Sequence, residues 1–325
     1  MSAPKRIFRD KGYLLAFKFM PLKYFYKTMD NWALKPSYAG RVNDPLENVP
    51  RGSAGELLMP ANLPPFVSFS EKMDMPAMWG HYADNARGVC LVFIFPMLKN
   101  INEHMKQKKI DSYCIHKGFK GFSACSHEQL DNVHNGFFMW LNYKTQRAEF
   151  NNSNDGIDLA QYADLLSTKA ECWQYESELR LVLRSEDADK AEDGHILYSW
   201  PMDHFVGVLL GPRCTASEHD VGQYIELAYK REMNRRRNTD ASGVDDASTD
   251  NAHVLLNEPW LVYKTEQDPE KFRFLNPFIS NGEKEPILRQ FFKTHKKLIK
   301  NAAWKTQRRK RSTRTQTASD GSKDV

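Results

Sequence analysis

From Trp173 to Arg184 the chain reads Trp-Gln-Tyr-Glu-Ser-Glu-Leu-Arg-Leu-Val-Leu-Arg, which sets two carboxylates two residues apart. If the run is extended, alternate residues share a face. The Cβ atoms of Glu176 and Glu178 then lie about 7 Å apart, with Arg180 continuing the row. A carboxylate pair held this way can stabilise positive charge on a ligand. A solvated strand face of alternating charge accounts for the same residues, and both readings stand open. Three earlier segments carry further polar chemistry. Asn43-Asp44-Pro45-Leu46-Glu47 offers an amide and two acids. Ser68-Phe69-Ser70 sets two hydroxyls on one strand face, able to donate to a ribose or phosphate. Met78-Trp79-Gly80-His81-Tyr82-Ala83 sets an imidazole between two aromatic rings.

Each segment also has a plainer explanation. Asp44 as N-cap, Pro45 at the first helical position and Glu47 two residues on make a capping-box-like start to a helix. Trp79 and Tyr82 at helical spacing suit a core stripe as well as a stacking platform. Cys114-Ile-His116 and Cys125-Ser-His127 would face one zinc ion if the residues between them turned a hairpin. That spacing is unlike the usual fingers and ribbons, so no metal is expected. Neither Gly-x-Ser-x-Gly nor Gly-x-x-x-x-Gly-Lys occurs in the chain, which removes the local signatures of a serine hydrolase and of a P-loop.

These residues have to be positioned by elements of mixed type. Tyr13 to Phe19 and Lys23 to Met29 are aromatic-rich and suit either two strands or a helix and a strand. Phe66 to Ser70 alternates like a strand. Met75, Met78, Trp79, Tyr82 and Ala86 form the apolar stripe of a helix over 75–86 that Gly88 closes. Val89 to Phe95 is a nearly continuous apolar run and predicts a buried strand. Strands are also expected over 110–116, 173–184, 205–210 and 260–264, and helices over 158–170 and 217–231. Strands and helices interleave without a regular β-α-β spacing. An α+β fold follows, with a mixed, largely antiparallel sheet and flanking helices.

At 325 residues, 41% of them apolar, the chain can bury a sizeable core. Its net charge of +5 is unevenly spread. Residues 283–325 hold 13 Lys and Arg against 4 Asp and Glu, whereas residues 1–282 hold 33 against 37. The body is therefore read as one mildly acidic α+β domain, residues 1–282, with a polar and disordered insertion at 234–251. The remainder, 283–325, is read as a basic amphipathic helix followed by a disordered tail, able to attract nucleic acid or another polyanion. No run approaches the roughly 18 to 20 apolar residues of a membrane span. Met1 to Lys11 lacks the pattern of a secretory signal, and the five Cys show no Cys-x-x-Cys spacing. A cytoplasmic protein with reduced thiols is expected.

Taken in order, Asn43 to Glu47, Ser68-Phe69-Ser70-Glu71, Met78 to Ala83 with Gly88-Val89-Cys90-Leu91, and Trp173-x-Tyr175-Glu176-x-Glu178-x-Arg180 resemble a bacterial family catalogued as domain of unknown function 2971. The likeness extends over roughly residues 13–212. It implies a site made from these motifs: Glu178, Glu176 and His81 as the reactive groups, and Asn43, Asp44, Glu47, Ser68, Ser70, Trp79, Tyr82, Trp173, Tyr175 and Arg180 around a ligand. The order of an early aromatic strand, a turn, a strand ending in Ser and a late Glu-x-Glu strand also looks like the plan of ADP-ribosyltransferase-type folds. By that analogy the ligand is a nucleotide-like molecule, NAD, consumed by ADP-ribosyl transfer or hydrolysis, in a defence or stress response. Glu178 would stabilise an oxocarbenium-like transition state, Glu176 or His81 would assist the attacking group, and Tyr82 or Trp79 would stack on nicotinamide. The alternatives are a noncatalytic nucleotide or nucleic-acid binding module and an accessory partner protein of a defence system.

Overall fold

A computed structural model describes residues 13–38, 41–58, 63–96, 112–114, 137–149, 164–183, 189–190, 196–200, 204–240 and 260–275. Apart from Thr239 and Asp240, all of these belong to one compact unit. The chain opens with β1 (Tyr13–Met20), α1 (Leu22–Asn31), β2 (Ala33–Leu34) and β3 (Phe66–Ser70). It continues through α2 (Pro76–Tyr82), β4 (Val89–Pro96), β5 (Ser112–Cys114), β6 (Phe137–Trp140) and β7 (Asn142–Lys144). Next come β8 (Thr168–Ala170), a 3₁₀ helix (Glu171–Glu176) and β9 (Glu178–Val182). The last described elements are β10 (Asp189–Lys190), β11 (Ile196–Ser199), β12 (Phe205–Leu210), α3 (Glu218–Asp240) and β13 (Leu261–Lys264).

Eight strands form the main sheet in the order β13-β12-β4-β1-β3-β9-β6-β5. Every neighbouring pair runs antiparallel except β12 with β13. The class is therefore α+β with a mixed, largely antiparallel sheet. β12, Phe-Val-Gly-Val-Leu-Leu, is buried at every position, as is β9. Runs of this kind are covered on both faces, which is why they read as continuous rather than alternating. For β9 the cover extends to its charged residues, since Glu178 and Arg180 are 5% and 0% exposed. A solvated strand face is thereby excluded.

One seam of the sheet is loose. β1 pairs with β4 over eight residues, from Tyr13 with Pro96 to Met20 with Val89, but its register with β3 is a single pair, Phe17 with Ser70. The strands part there, and Phe17, Lys18 and Phe19 of one and Ser68, Phe69 and Ser70 of the other all line the same cavity. Consecutive residues of a strand point to opposite faces, so three in a row can reach one hollow only where the sheet opens.

Several expectations change in detail. Lys23–Met29 is helical, inside α1. α2 stops at Tyr82, short of Ala86, because Asp84, Asn85 and Ala86 all adopt positive φ and the Gly88 amide turns back to the Ala83 carbonyl at 2.7 Å. Gly88 and Gly211 then meet main chain to main chain, the Gly211 amide donating to the Gly88 carbonyl at 3.0 Å. A Cβ on Gly88 would lie 2.3 Å from the Met20 carbonyl oxygen and one on Gly211 2.2 Å from that of Ala86. Asp44 starts no helix: its carboxylate accepts the Leu46 amide at 2.9 Å in an Asx turn. Thr168–Ala170 is a strand paired in parallel with β7, not the end of a helix. α3 continues to Asp240, seven residues into the segment read as a disordered insertion. Arg235 and Arg236 hold that stretch by donating to the buried Glu232 carboxylate, and Arg236 reaches the Trp200 carbonyl at 3.2 Å. Residues 241–251 and the basic segment 283–325 lie outside the described residues.

Candidate active site

The run 173–184 is not one strand. Trp173 to Glu176 belong to the 3₁₀ helix, and Ser177, at φ 43°, turns the chain into β9. The Ser177 carbonyl accepts the Glu71 amide at 3.0 Å, and the Ser70 hydroxyl donates to the Glu176 carbonyl at 2.6 Å, which pins this turn to the end of β3. Although they sit on different elements, Glu176 and Glu178 come together on the ammonium of Lys169, at 2.5 and 2.8 Å. Glu47 adds a third carboxylate 3.3 Å from the same nitrogen.

Arg180 completes the cluster. Its Nε donates to Glu178 Oε1 at 2.9 Å, its Nη1 to the Leu166 carbonyl at 2.7 Å and its Nη2 to Glu47. The guanidinium lies over the Phe66 ring, 4.3 Å from its centroid. The Glu178 amide donates to the Tyr143 hydroxyl at 2.7 Å, and the Tyr82 hydroxyl donates to Glu176. Removing a single partner from such a buried network strands a charge, at about 3–5 kcal/mol.

Three acids meet two cations in this cluster, and Lys18 lines the same cavity. Burial pushes Glu176 up, and Lys169 and the Tyr82 hydroxyl do not fully offset it, so this acid sits above its ordinary range. Burial pushes Glu178 the same way, but Arg180 and Lys169 together outweigh it and hold this carboxyl well below that range. The two neighbours are thus driven apart, Glu176 upward and Glu178 downward. Burial alone would lower Lys169, yet Glu178, Glu47 and Glu176 raise it, so it remains a cation.

A cavity of about 200 Å³ opens onto the cluster. Asn43, Glu47, Ser68, Ser70, Tyr82, Glu176 and Glu178 line it, so all four motifs read from the sequence reach it directly and Arg180 stands behind them. Ser70 is committed to the Glu176 carbonyl and the Lys72 amide. Ser68 faces the hollow from β3. Five further expected residues, Asp44, Trp79, His81, Trp173 and Tyr175, stand outside the lining. Trp79 is fully buried, donates from Nε1 to the Met73 carbonyl at 2.7 Å and packs edge-on against Phe19 and Phe274, so it belongs to the core. His81 is exposed, with Nδ1 3.0 Å from the Tyr175 hydroxyl, outside the cavity lining. Trp173 stacks near Tyr175 and over the Lys169 ammonium, and Asp44 serves its own turn.

Lys18, Arg41, Lys169 and Tyr143 went unnoticed in the sequence. Nothing local marks a buried lysine: Lys18 reaches the acids from β1, whereas Tyr143 and Lys169 come from the separate β7–β8 pair. Among the described residues, no group of three or more His, Cys, Asp or Glu could hold a metal ion. Cys114 is described only as part of β5, and His116, Cys125 and His127 lie outside the described residues.

Residues 78–181 match the family model described as Protein of unknown function (DUF2971). The chain resembles that family over this stretch, which is shorter than the 13–212 read from the motifs. It runs from α2 into β9 and carries Tyr82, Tyr143, Lys169, Glu176, Glu178 and Arg180. Lys18, Asn43, Glu47, Ser68 and Ser70 fall before it. No curated protein and no solved structure matches the chain. Among the described residues, no helix is long and apolar enough to cross a membrane.

Proposed function

We propose that the cavity cleaves the bond between ribose and nicotinamide in NAD and passes the ADP-ribosyl group to an acceptor hydroxyl or to water. The observation that carries this reading is the split pair: two adjoining buried acids on one hollow, one held well below and the other above the ordinary carboxylate range. Environments that drive two carboxyls apart divide the work between a fixed charge and a proton carrier. In this reaction the C–N bond breaks with its electron pair leaving on neutral nicotinamide, and positive charge develops at the ribosyl carbon. Glu178 supplies the fixed negative charge facing it, with Lys169 and Arg180 setting its position. Glu176 takes the proton of the attacking hydroxyl, with Tyr82 holding its other side.

Ser68 suits a ribose hydroxyl, and Arg41, exposed at the cavity wall, suits the diphosphate. Ligand pockets are usually about 300–1,000 Å³, so a hollow near 200 Å³ takes the nicotinamide riboside end and leaves the adenylate outside. Tyr82 is the ring available to nicotinamide, since Trp79 is spent in the core. The test is release of nicotinamide from NAD by the full chain. Glu178→Gln keeps the shape and removes the charge, and a loss of about 10²–10³ in turnover with NAD binding retained is expected. Binding of NAD with no release by the wild-type chain would move the cavity to a noncatalytic nucleotide-binding role.

A further inference from the structure

The reaction above leaves one reactive group of the cavity unused. Lys18 sits near the end of β1 at the loose seam, and its ammonium donates to the Ser68 carbonyl across that seam at 2.9 Å. An ammonium has three protons to donate, and Lys18 makes no ion pair with the cluster beside it. Among the described residues, the other cation lining the hollow outside the network is Arg41, on the loop before Asn43. Glu176 and Glu178 line it too, near enough to Lys18 to favour its charged form, yet burial wins and lowers this lysine to about 8. A fraction of its amine is therefore neutral near neutral pH, with a free electron pair.

We propose that Lys18 is a nucleophilic site that captures small carbonyl compounds carrying an anionic group, with Arg41 holding the anion. The amine lone pair adds to the carbonyl carbon, and the carbonyl oxygen takes up a proton to give a carbinolamine. Loss of that oxygen as water, with the nitrogen giving up its proton, leaves an imine. Glu176, which lines the same hollow, takes the proton the nitrogen gives up and returns it to the oxygen. The guanidinium at the rim, beside the amine, selects for an aldehyde or ketone that also carries a carboxylate or phosphate. This assignment is independent of whether NAD is a substrate.

Glyoxylate, a carboxylate-bearing aldehyde that fits about 200 Å³, is the probe, with cyanoborohydride as the hydride donor. Reduction turns the imine into a stable carboxymethyl-lysine, located by peptide mass spectrometry on the full chain. Lys23 and Lys27, both exposed on α1, serve as internal references. Labelling of Lys18 about tenfold faster than either reference is expected, as for an activated lysine amine. Arg41→Gln should lower labelling of Lys18 by glyoxylate about fivefold, leave Lys23 and Lys27 unchanged, and have no effect when uncharged propanal replaces glyoxylate. Lys18 reacting no faster than Lys23 and Lys27 overturns the proposal. An Arg41→Gln chain that labels like wild type with glyoxylate overturns the anionic specificity.

Discussion

At the β4–β12 side of the sheet, Trp32, Trp200, Phe205, Tyr229 and Trp260 pack ring against ring, with centroids 5.3 to 6.4 Å apart. At the β3–β9 side, Glu47, Lys169, Glu176, Glu178 and Arg180 pack charge against charge at a similar depth. The aromatic side gains from leaving water whatever its neighbours are, so its contributions are roughly independent. The charged side gains nothing until it is complete, because each ion loses hydration and recovers it only from its partners. A fold that needed stability alone would be served as well by apolar residues at β9. Keeping five ions there makes sense if the charges are used on something that enters the cavity.

The sharpest way to break this contrast is Arg180→Met, which should cost about 3–5 kcal/mol in urea unfolding. Adding Glu47→Gln and Glu178→Gln should recover most of that loss, since no charge is then left alone. Trp200→Ala costs a similar amount, about 3–5 kcal/mol, but no second substitution elsewhere in the aromatic cluster should restore it. Failure of the triple variant to recover would show that the charged side behaves like an ordinary core.

Acid separates the two sides next. The Glu178 carboxyl titrates lower in the folded chain than its unfolded value of about 4.3. Its contribution is whole above that value and drains away as pH falls below it. The wild type should lose urea resistance progressively below about pH 4.3. Glu178→Gln should flatten that slope, and Trp200→Ala should leave it unaltered.

Lys18 gives the opposite sign. Its folded value of about 8 lies under an unfolded value of about 10.4, so the unfolded chain binds the extra proton between them. Stability should therefore climb with pH from about 8 to about 10.4. Lys18→Met should abolish that climb and raise the urea midpoint at pH 7.

Indole to benzene exchange gives the smallest effect. Trp79 Nε1 donates to the Met73 carbonyl, whereas among the described residues Trp200 Nε1 has no partner. Trp79→Phe should therefore cost about 1 kcal/mol more than Trp200→Phe in thermal or urea unfolding.

Much of the frame was legible in local pattern. β3, β4 and β12 match the apolar runs from which they were read, and the α+β class follows from their irregular alternation with helices. The acids and hydroxyls were legible by type and spacing. Of their partners, Arg180 and Tyr82 were legible with them, but Lys169 and Tyr143 were not. Lys169 looks in the sequence like any solvent-facing lysine, and its burial depends on three glutamates delivered by a turn, a 3₁₀ helix and a strand. The strand assigned to Trp173 through Arg184 fails because Ser177 takes a left-handed conformation that alternation cannot reveal. Asp44 and Pro45 have the chemistry of a helix start, but Glu47 is drawn to Arg180 and Lys169 instead of capping.

The meeting of Gly88 with Gly211 ties these distant sides together. α2 delivers the Tyr82 hydroxyl to Glu176, and the loop leaving α2 is bolted to the residue that follows β12, the strand whose first residue, Phe205, belongs to the aromatic cluster. The height of that phenol above the acid is therefore gauged from the opposite margin of the sheet. Even one methyl group grafted at that crossing would push the whole helical segment outward and be registered as a misplaced proton donor in a hollow it never touches.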